Sequence, residues 1–176
     1  MNTKYFEKIR IFDGGMGQEL LSKGLISKGT LWSASALIER EFHKLVIDAH
    51  ISYIKAGADI IVTNNFSARK IRFIQNKVLD KFQYANEQAG ILANKAREIS
   101  KQNILIAGSL PSQSDTYVED ERSSSEIQSD FEEQAKIISP YVDFFYLDVV
   151  SSGREIEIAS NLSLIHISEP TRRVFI

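Results

Sequence analysis

The sequence predicts an α/β fold built on a parallel β-sheet, and two observations carry this prediction. Four short runs of mostly apolar residues alternate with stretches of helical periodicity, at intervals of roughly 40 to 50 residues. Each run is apolar throughout, as expected of parallel strands that are covered on both faces. A doubly wound sheet and a (β/α)8 barrel share this pattern, and both bind ligands beyond the carboxyl ends of their strands.

The composition limits the class of protein. The chain has 176 residues, of which 43% are hydrophobic and 25% charged, as is ordinary for one globular domain. Its net charge of -2 argues against nucleic acid or an anionic membrane as a partner. No apolar run approaches the roughly 20 residues that span a bilayer, and the amino terminus lacks the apolar centre of a signal peptide, so we expect a cytoplasmic protein. The absence of cysteine excludes disulfides, a thiolate nucleophile and a thiolate zinc site formed by this chain alone.

The first apolar run, residues 9–12, predicts a buried strand that ends at Asp13. Gly14, Gly15 and Gly17 follow it, and they allow the backbone to turn tightly and to approach a ligand. The alternative is a plain turn in which Asp13 only caps the next segment. The glycine spacing does not fit the G-x-G-x-x-G fingerprint of dinucleotide-binding folds, and no acidic residue ends a second strand about 20 residues later.

A loop and a long helix are predicted between the first two strands. Residues 22–36 are rich in Gly, Ser and Thr and predict a loop, in which Trp32 packs as an anchor or a lid. Residues 39–55 have apolar side chains at helical spacing, and a glycine ends this helix. His43 and His50 fall near the edge of its apolar face with no third metal ligand nearby, so we expect boundary positions for both.

The second and third runs also end in polar residues. Residues 59–65 form a β-branched run that ends in Asn64 and Asn65. Residues 103–109 form an apolar run that ends in Ser109. Both runs therefore add polar groups to the end of the sheet at which the first run places its carboxylate.

The helices that follow these runs are predicted from periodicity and capping. Residues 77–99 predict a helix in which Gly90 is a tolerated weak point. The polar residues 110–122 lack periodicity and form a connection long enough to cover a site. A further helix begins with the capping box of Ser123 and Glu126.

The fourth run, residues 143–150, carries Asp148 near its end. Because the carboxyl ends of parallel strands meet at one edge of a sheet, Asp148 should lie near Asp13 and the two asparagines. Two carboxylates and two amides around one opening suit a zwitterionic amino acid, with the acids facing its ammonium group and amide or backbone N–H groups facing its carboxylate. The alternative is that Asp148 pairs with a nearby cation or caps the next turn.

Four motifs at these strand ends resemble the homocysteine S-methyltransferase family, in order, spacing and sequence together. They are Asp13-Gly14-Gly15-Met16-Gly17-Gln18-Glu19-Leu20, Gly57-Ala58-Asp59-Ile60-Ile61-Val62-Thr63-Asn64-Asn65-Phe66, Ala107-Gly108-Ser109-Leu110-Pro111 and Gly153-Arg154-Glu155. The resemblance implies an incomplete (β/α)8 TIM barrel, about the first four β/α units, over residues 1–161.

The resemblance also implies an activity: transfer of a methyl group from S-methylmethionine, a betaine or a folate to the sulfur of homocysteine, giving methionine. Homocysteine and the methyl donor are then the partners. In that family, zinc held by three cysteines binds the thiolate, and those cysteines are absent from this chain. Asp13 corresponds to the carboxylate that the family uses toward the substrate ammonium, Asp148 stands where it usually has Glu, and Asn65 where it commonly has Thr. The predicted substrate-binding residues are Asp13, Gly14, Gly15, Asn64, Asn65, Ser109 and Asp148, and no catalytic residue or metal ligand is assigned.

Residues 162–176 do not resemble the continuation of the family. The part that ends at Arg172 resembles a translated transposon-derived sequencing adapter, so we expect a non-native tail, disordered or irregular, on a truncated and inactive chain. Two other functions stay open from the sequence. One is a half-barrel that serves as a binding module for a small amino acid, and the other is a metal-free barrel enzyme with Asp13 and Asp148 as acid and base.

Overall fold

The computed structural model describes residues 3–165 and 174–175, with side chains described for residues 4–162. Within these residues, four parallel strands form one sheet in the order β1-β2-β3-β4. The strands are β1 (Ile60–Val62), β2 (Leu105–Pro111), β3 (Phe144–Asp148) and β4 (Val174–Phe175). The predicted α/β class with a parallel sheet is confirmed.

Seven α-helices are described, three before β1 and four between the strands. They are α1 (Met16–Ser22), α2 (Ser35–Ile38), α3 (His43–Lys55), α4 (Lys70–Gln75), α5 (Phe82–Ser100), α6 (Ser124–Ile138) and α7 (Gly153–Ile165). Short 3-10 segments flank several of them, at Thr3–Glu7, Gly29–Ala34, Arg40–Phe42, Leu79–Lys81 and Ser139–Tyr141. None of the described helices is both long and apolar enough to cross a membrane.

The first apolar run was predicted to be a buried strand, and this prediction was wrong. Its described pairing with the sheet is one isolated parallel bridge from Phe12 to Ile60. Ile9 is 94% exposed and Ile11 57%, because no described element covers this edge of the sheet. The run still aligns Asp13 with the strand ends, since the Asp13 N–H donates a hydrogen bond to the Ile60 carbonyl oxygen over 2.9 Å.

Two hydrophobic clusters hold the helices on the sheet. In the larger one α3 packs against α5, and its buried members include Val46 of α3, Ala89 of α5 and Ile61 of β1. In the second, α6 packs against α7 around Leu110 and Phe131. The small buried residues of α5 allow it to lie close to its neighbours.

Most predicted helices are confirmed with shifted ends. α3 begins at His43, and α5 begins at Phe82, each preceded by a 3-10 turn. The capping box is confirmed: the Glu126 N–H donates to the Ser123 hydroxyl, and the Ser123 N–H donates to the Glu126 carboxylate. Residues 22–36, predicted to be a loop, contain a 3-10 segment and the start of α2. The sequence missed α4 because six residues are too few to show a helical period.

The predicted tail coincides only in part with described residues. Its boundary at residue 162 falls within α7, which ends at Ile165, and β4 pairs in parallel with β3. Residues 166–173 and 176 lie outside the described residues. The foreign origin of the tail stays a prediction.

Gly90 is a point of close packing rather than a tolerated weak point of α5. A Cβ atom at Gly90 would lie 2.4 Å from the Tyr141 Cβ and 2.6 Å from its Cγ. We expect Gly90→Ala to lower the free energy of unfolding by about 1–3 kcal/mol, because the clash outweighs the better helix propensity of alanine. Urea denaturation of the two chains measures this difference.

Gly153→Ala is the matched control, since nothing lies within 4 Å of a Cβ atom at that helical glycine. Its free energy of unfolding should change by less than about 0.5 kcal/mol. An equal loss of unfolding free energy in Gly90→Ala and Gly153→Ala would contradict the predicted clash with Tyr141.

Candidate functional site

A cavity of about 810 Å³ opens at the carboxyl ends of β1 and β3. Its wall includes residues that follow successive strands or runs, among them Asp13, Gly14, Gly15, Asn64 and Asp148. The volume lies in the upper part of the range of about 300–1,000 Å³ that is typical of small-molecule sites. The cavity therefore has room for more than one ligand of amino-acid size, at the edge where α/β folds bind ligands.

Two carboxylates face this cavity without a lysine or arginine partner among the described residues. The Asp13 side chain is 3% exposed, and its Oδ2 accepts a hydrogen bond from the Val62 N–H over 3.0 Å. Burial raises the pKa of Asp13 to about 7, against the opposing effect of the Val62 N–H, and the Asp148 charge raises it further. Burial also raises the pKa of Asp148, while the Ser109 hydroxyl, which donates to it over 2.8 Å, opposes the shift. A cationic ligand would relieve this unpaired negative charge.

His50 lies behind Asp13, fully buried, and not at the boundary that the helical pattern predicted. It is covered because α1 and β1 both pack on α3. Its Nδ1 is 3.9 Å from the Asp13 Oδ2, too far for a hydrogen bond, and neither ring nitrogen has a hydrogen-bond partner in the part of the chain that the structure describes. Burial lowers the pKa of His50 to about 3, so the ring is neutral and leaves the Asp13 charge uncompensated.

His43 matches its predicted boundary position. Its ring is half-buried, and the Nε2 lies 3.0 Å from the Leu37 carbonyl oxygen. The described residues contain no group of three or more His, Asp or Glu side chains that could hold a metal ion.

Asn64 connects the strand end to the aromatic wall of the cavity. Its Nδ2 donates to the Ser33 carbonyl oxygen over 3.2 Å, next to Trp32, whose φ of 45° and ψ of -122° are unusual for a non-glycine residue. A Cβ atom at Gly17 would lie 2.5 Å from the Trp32 ring, so that glycine is needed for the indole to pack there. Trp32 forms part of the cavity wall together with Phe66.

Asn65 and Ser109 use their polar groups within the protein. The Thr63 hydroxyl donates to the Asn65 Oδ1 over 2.6 Å and accepts from the Ser109 N–H over 3.0 Å. The Asn65 Nδ2 donates to the Ser109 carbonyl oxygen over 2.9 Å and to the Asn86 Oδ1 over 3.2 Å. Both residues are fully buried, and this network joins the ends of β1 and β2. It places Ser109 where its hydroxyl can donate to Asp148.

The cavity wall includes residues that the sequence did not assign to the site, among them Arg69, Phe66 and Tyr146. Arg69 is only 3% exposed although it is a cation. It lies five residues beyond Asn64, and its position shortly after a polar strand end is the feature that could have identified it. The two aromatic residues are indistinguishable from core residues by pattern alone.

Comparisons with known proteins agree on one family. The profile of the family described as homocysteine S-methyltransferase matches residues 10–176. The homocysteine S-methyltransferase of Escherichia coli (strain K12) is 32% identical over 115 residues, which are 59% of this chain and 35% of that protein. Homocysteine S-methyltransferase 1 of Zea mays is 38% identical over 64 residues, which are 36% of this chain and 19% of that protein.

The fold is similar to that of the homocysteine methyltransferase MmuM from Escherichia coli. Its metallated form gives a TM-score of 0.82 at 23% identity, covering 97% of this chain and 64% of that one. The apo form gives a TM-score of 0.68 at 25% identity, covering 96% of this chain and 59% of that one. The chain thus spans less than two thirds of each of these proteins.

Proposed function

Because the chain belongs to the homocysteine S-methyltransferase family, we propose that its cavity binds homocysteine, the acceptor of the methyl group. The observation that carries this proposal is the pair of acids, buried Asp13 and half-buried Asp148, which face one cavity and have no lysine or arginine at ion-pair distance among the described residues. An α-ammonium group supplies the missing positive charge. Gly14 and Gly15 bring the backbone to the same wall, and nothing lies within 4 Å of a Cβ atom at Gly15, whereas one at Gly14 would lie 2.9 Å from the Tyr53 Cε1.

The roles of the seven predicted residues divide into two groups under this proposal. Asp13, Gly14, Gly15, Asn64 and Asp148 line the cavity and would contact the ligand. Asn65 and Ser109 would act by holding the strand ends and by orienting Asp148. Asp148 is one methylene shorter than the glutamate usual in the family, and its hydrogen bond from Ser109 fixes its position at the wall.

The cavity wall supports a methyl donor that carries a sulfonium or quaternary ammonium group, such as S-methylmethionine or a betaine, in preference to a folate. Trp32, Phe66 and Tyr146 present aromatic rings to the cavity. The faces of such rings attract cations that have lost their water, and they attract neutral methyl donors less. The volume of about 810 Å³ accommodates this donor beside homocysteine.

The residues present do not fit the zinc ion that the family resemblance implies. The chain has no cysteine, and the part that the structure describes contains no cluster of three other metal-binding side chains. We propose that residues 1–161 correspond to about the first four units of the family's barrel and hold the substrates. The 176-residue chain alone would then be inactive in methyl transfer.

A second candidate is a metal-free enzyme in which Asp13 and Asp148 act as acid and base. The raised pKa of Asp13, about 7, is the specific observation in its favour, because it places proton transfer near neutral pH. Turnover of an amino acid by the 176-residue chain in the presence of a metal chelator would favour this candidate.

Homocysteine binding to the 176-residue chain should strengthen as the pH rises through about 7. Only ionised Asp13 attracts the ammonium group, and below its pKa of about 7 the ligand must first displace a proton. At pH 6 we expect an affinity about tenfold below that at pH 8, measured by titration calorimetry.

The matched control ligand is 4-mercaptobutanoate, which is homocysteine without its amino group. It should bind at least about tenfold more weakly at pH 8, because it lacks the cation that offsets the two acids. Equal binding of the two ligands, or a homocysteine affinity that is constant between pH 6 and pH 8, would contradict the proposed function.

A further inference from the structure

Arg69 is a buried cation at the cavity wall that the homocysteine site does not use. It lines the cavity at the segment that follows β1 and is 3% exposed. Burial lowers its pKa to about 10, so the guanidinium stays charged at neutral pH. A buried charge is unfavourable unless an opposite charge or a full set of hydrogen bonds offsets it.

The protein offsets the Arg69 charge only in part. Its Nη1 donates to the Ser112 carbonyl oxygen over 3.2 Å, to the Ser114 carbonyl oxygen and to the Thr116 hydroxyl over 3.3 Å. Its Nη2 and Nε donate no hydrogen bond to the described residues, and the Nε is fully buried. No described carboxylate lies at ion-pair distance from Arg69.

The neighbouring Arg72, unlike Arg69, has a carboxylate partner. It also lines the cavity, but its Nη2 lies 2.7 Å from the Asp115 Oδ1 and its Nη1 donates to the Gln75 Oε1 over 3.2 Å. The charge of Arg72 is therefore paired within the protein. Arg69, the more deeply buried of the two, faces the cavity without such a partner.

Arg69 and the two acids occupy different parts of the cavity. The Arg69 Nη1 donates to the segment that follows β2, at the Ser112 carbonyl oxygen and the Thr116 hydroxyl. Asp13 instead accepts from the Val62 N–H of β1, and Asp148 accepts from the Ser109 hydroxyl within β2. The cavity thus has an acidic part and a separate basic part. An amino acid held by its ammonium group at the acids leaves the basic part for a second ligand.

We propose that Arg69 binds the carboxylate of the methyl donor, through a charge-assisted hydrogen bond from Nη2. This inference rests on the proposed function, and it specifies a donor that carries both a methylated onium group and a carboxylate. The Phe66 ring, whose centroid is 5.3 Å from the Arg69 Cζ, packs against the guanidinium. The same aromatic wall then receives the onium group next to the carboxylate.

A comparison of acid and amide ligands tests this assignment. S-methylmethionine and glycine betaine, each with its carboxamide, are titrated into the 176-residue chain saturated with homocysteine. For at least one donor the carboxylate should bind about 10- to 100-fold more tightly than the carboxamide, because only the carboxylate pairs with Arg69. A ratio below about twofold for both donors, or no binding of either, overturns the inference.

Arg69→Met should bring the acid-to-amide ratio close to one, and Arg69→Lys should leave it intermediate. If Arg69 serves only to hold the Ser112 and Ser114 carbonyl groups, both ligands weaken equally and the ratio persists, which overturns the inference. If Arg69→Met fails to fold, Arg69→Lys is used in its place. An acid-to-amide ratio in Arg69→Lys equal to that of the unaltered chain would overturn the inference. Arg40→Met is the control, because Arg40 is exposed and is not part of the cavity wall, and its ratio should equal that of the unaltered chain.

The two proposals fail in different ways. If homocysteine binds with the expected pH dependence but the acid-to-amide ratio is near one, only the role of Arg69 is wrong. If homocysteine itself does not bind, the proposed function is wrong and the role of Arg69 falls with it.

Discussion

Asp13→Ala is expected to weaken homocysteine binding to the 176-residue chain by about 30- to 1,000-fold at pH 8. The substitution removes the more buried of the two acids and with it a charge-assisted hydrogen bond to the ammonium group, a loss of about 2–4 kcal/mol. Asp148 remains, half-buried at the same wall, but a single carboxylate leaves the ammonium group incompletely paired. Titration calorimetry gives the ratio of the two dissociation constants.

Asp80→Ala is the matched control, because Asp80 has an exposed side chain that forms an ion pair with the adjacent Lys81 on the protein surface. Its homocysteine affinity should stay within about twofold of the unaltered chain. An Asp13→Ala chain that keeps its affinity within threefold would remove the ammonium role of Asp13.

The stability of an Asp13→Asn chain separates loss of binding from loss of the fold. The folded-state pKa of Asp13, about 7, lies above the unfolded value of 3.8, so the folded chain holds more protons between these values. Ionising Asp13 therefore costs stability as the pH rises from about 4 to about 7. At pH 8, we expect Asp13→Asn to be more stable than the unaltered chain by about 1–3 kcal/mol, and at pH 4 the difference should disappear.

The sequence correctly predicted those strands and helices whose signals lie within a single element. A β-branched run around Ile61 and the capping box at Ser123 depend on residues within one element, and both are confirmed. The first apolar run was misjudged because its coverage depends on elements far from it in sequence. Ile9 has a residue type suited to a buried strand, yet nothing described packs on it.

The site was predictable as a location and less so in its individual contacts. Polar residues after parallel strands must share one edge, which brings Asp13, Asn64 and Asp148 to one cavity. The pattern could not show that the Asn65 amide group donates to the Ser109 carbonyl oxygen and to the Asn86 Oδ1. That distinction depends on side-chain direction, which the strand register fixes only after the sheet has assembled.

The burial of His50 and Arg69 was the least predictable feature of the site. Helical periodicity gave His50 an edge position, but its burial follows from the packing of α1 and β1 on the same helix. Arg69 belongs to no motif, and its unpaired nitrogens become visible only when the surrounding carbonyl groups are placed. Both residues violate the rule that charged or polar side chains avoid burial, and such exceptions concentrate at functional sites.

Glu155→Ala is expected to lower the free energy of unfolding by about 3–5 kcal/mol, among the largest effects of any single substitution in this chain. Glu155 is fully buried at the start of α7. Its Oε1 accepts from the Ser112 hydroxyl over 2.6 Å and from the Gln113 N–H over 3.3 Å, and its Oε2 accepts from the Ser151 N–H over 3.0 Å. Alanine would leave the buried Ser112 and Gln113 donors and the half-buried Ser151 N–H without this acceptor, and it would remove the link between the segments that follow β2 and β3.

Two further variants test whether the effect comes from the Glu155 carboxylate itself. This carboxylate binds Ser112, whose carbonyl oxygen also accepts a hydrogen bond from Arg69. Glu155→Gln keeps one acceptor oxygen but turns an amide N–H toward a backbone donor. Its free energy of unfolding, measured by urea denaturation, should therefore lie between the values for the unaltered chain and for Glu155→Ala. Glu157→Ala removes an exposed glutamate from the same helix and should change the free energy of unfolding by less than about 0.5 kcal/mol. If Glu155→Ala were as stable as Glu157→Ala, the buried carboxylate would contribute nothing to joining the segments that follow β2 and β3.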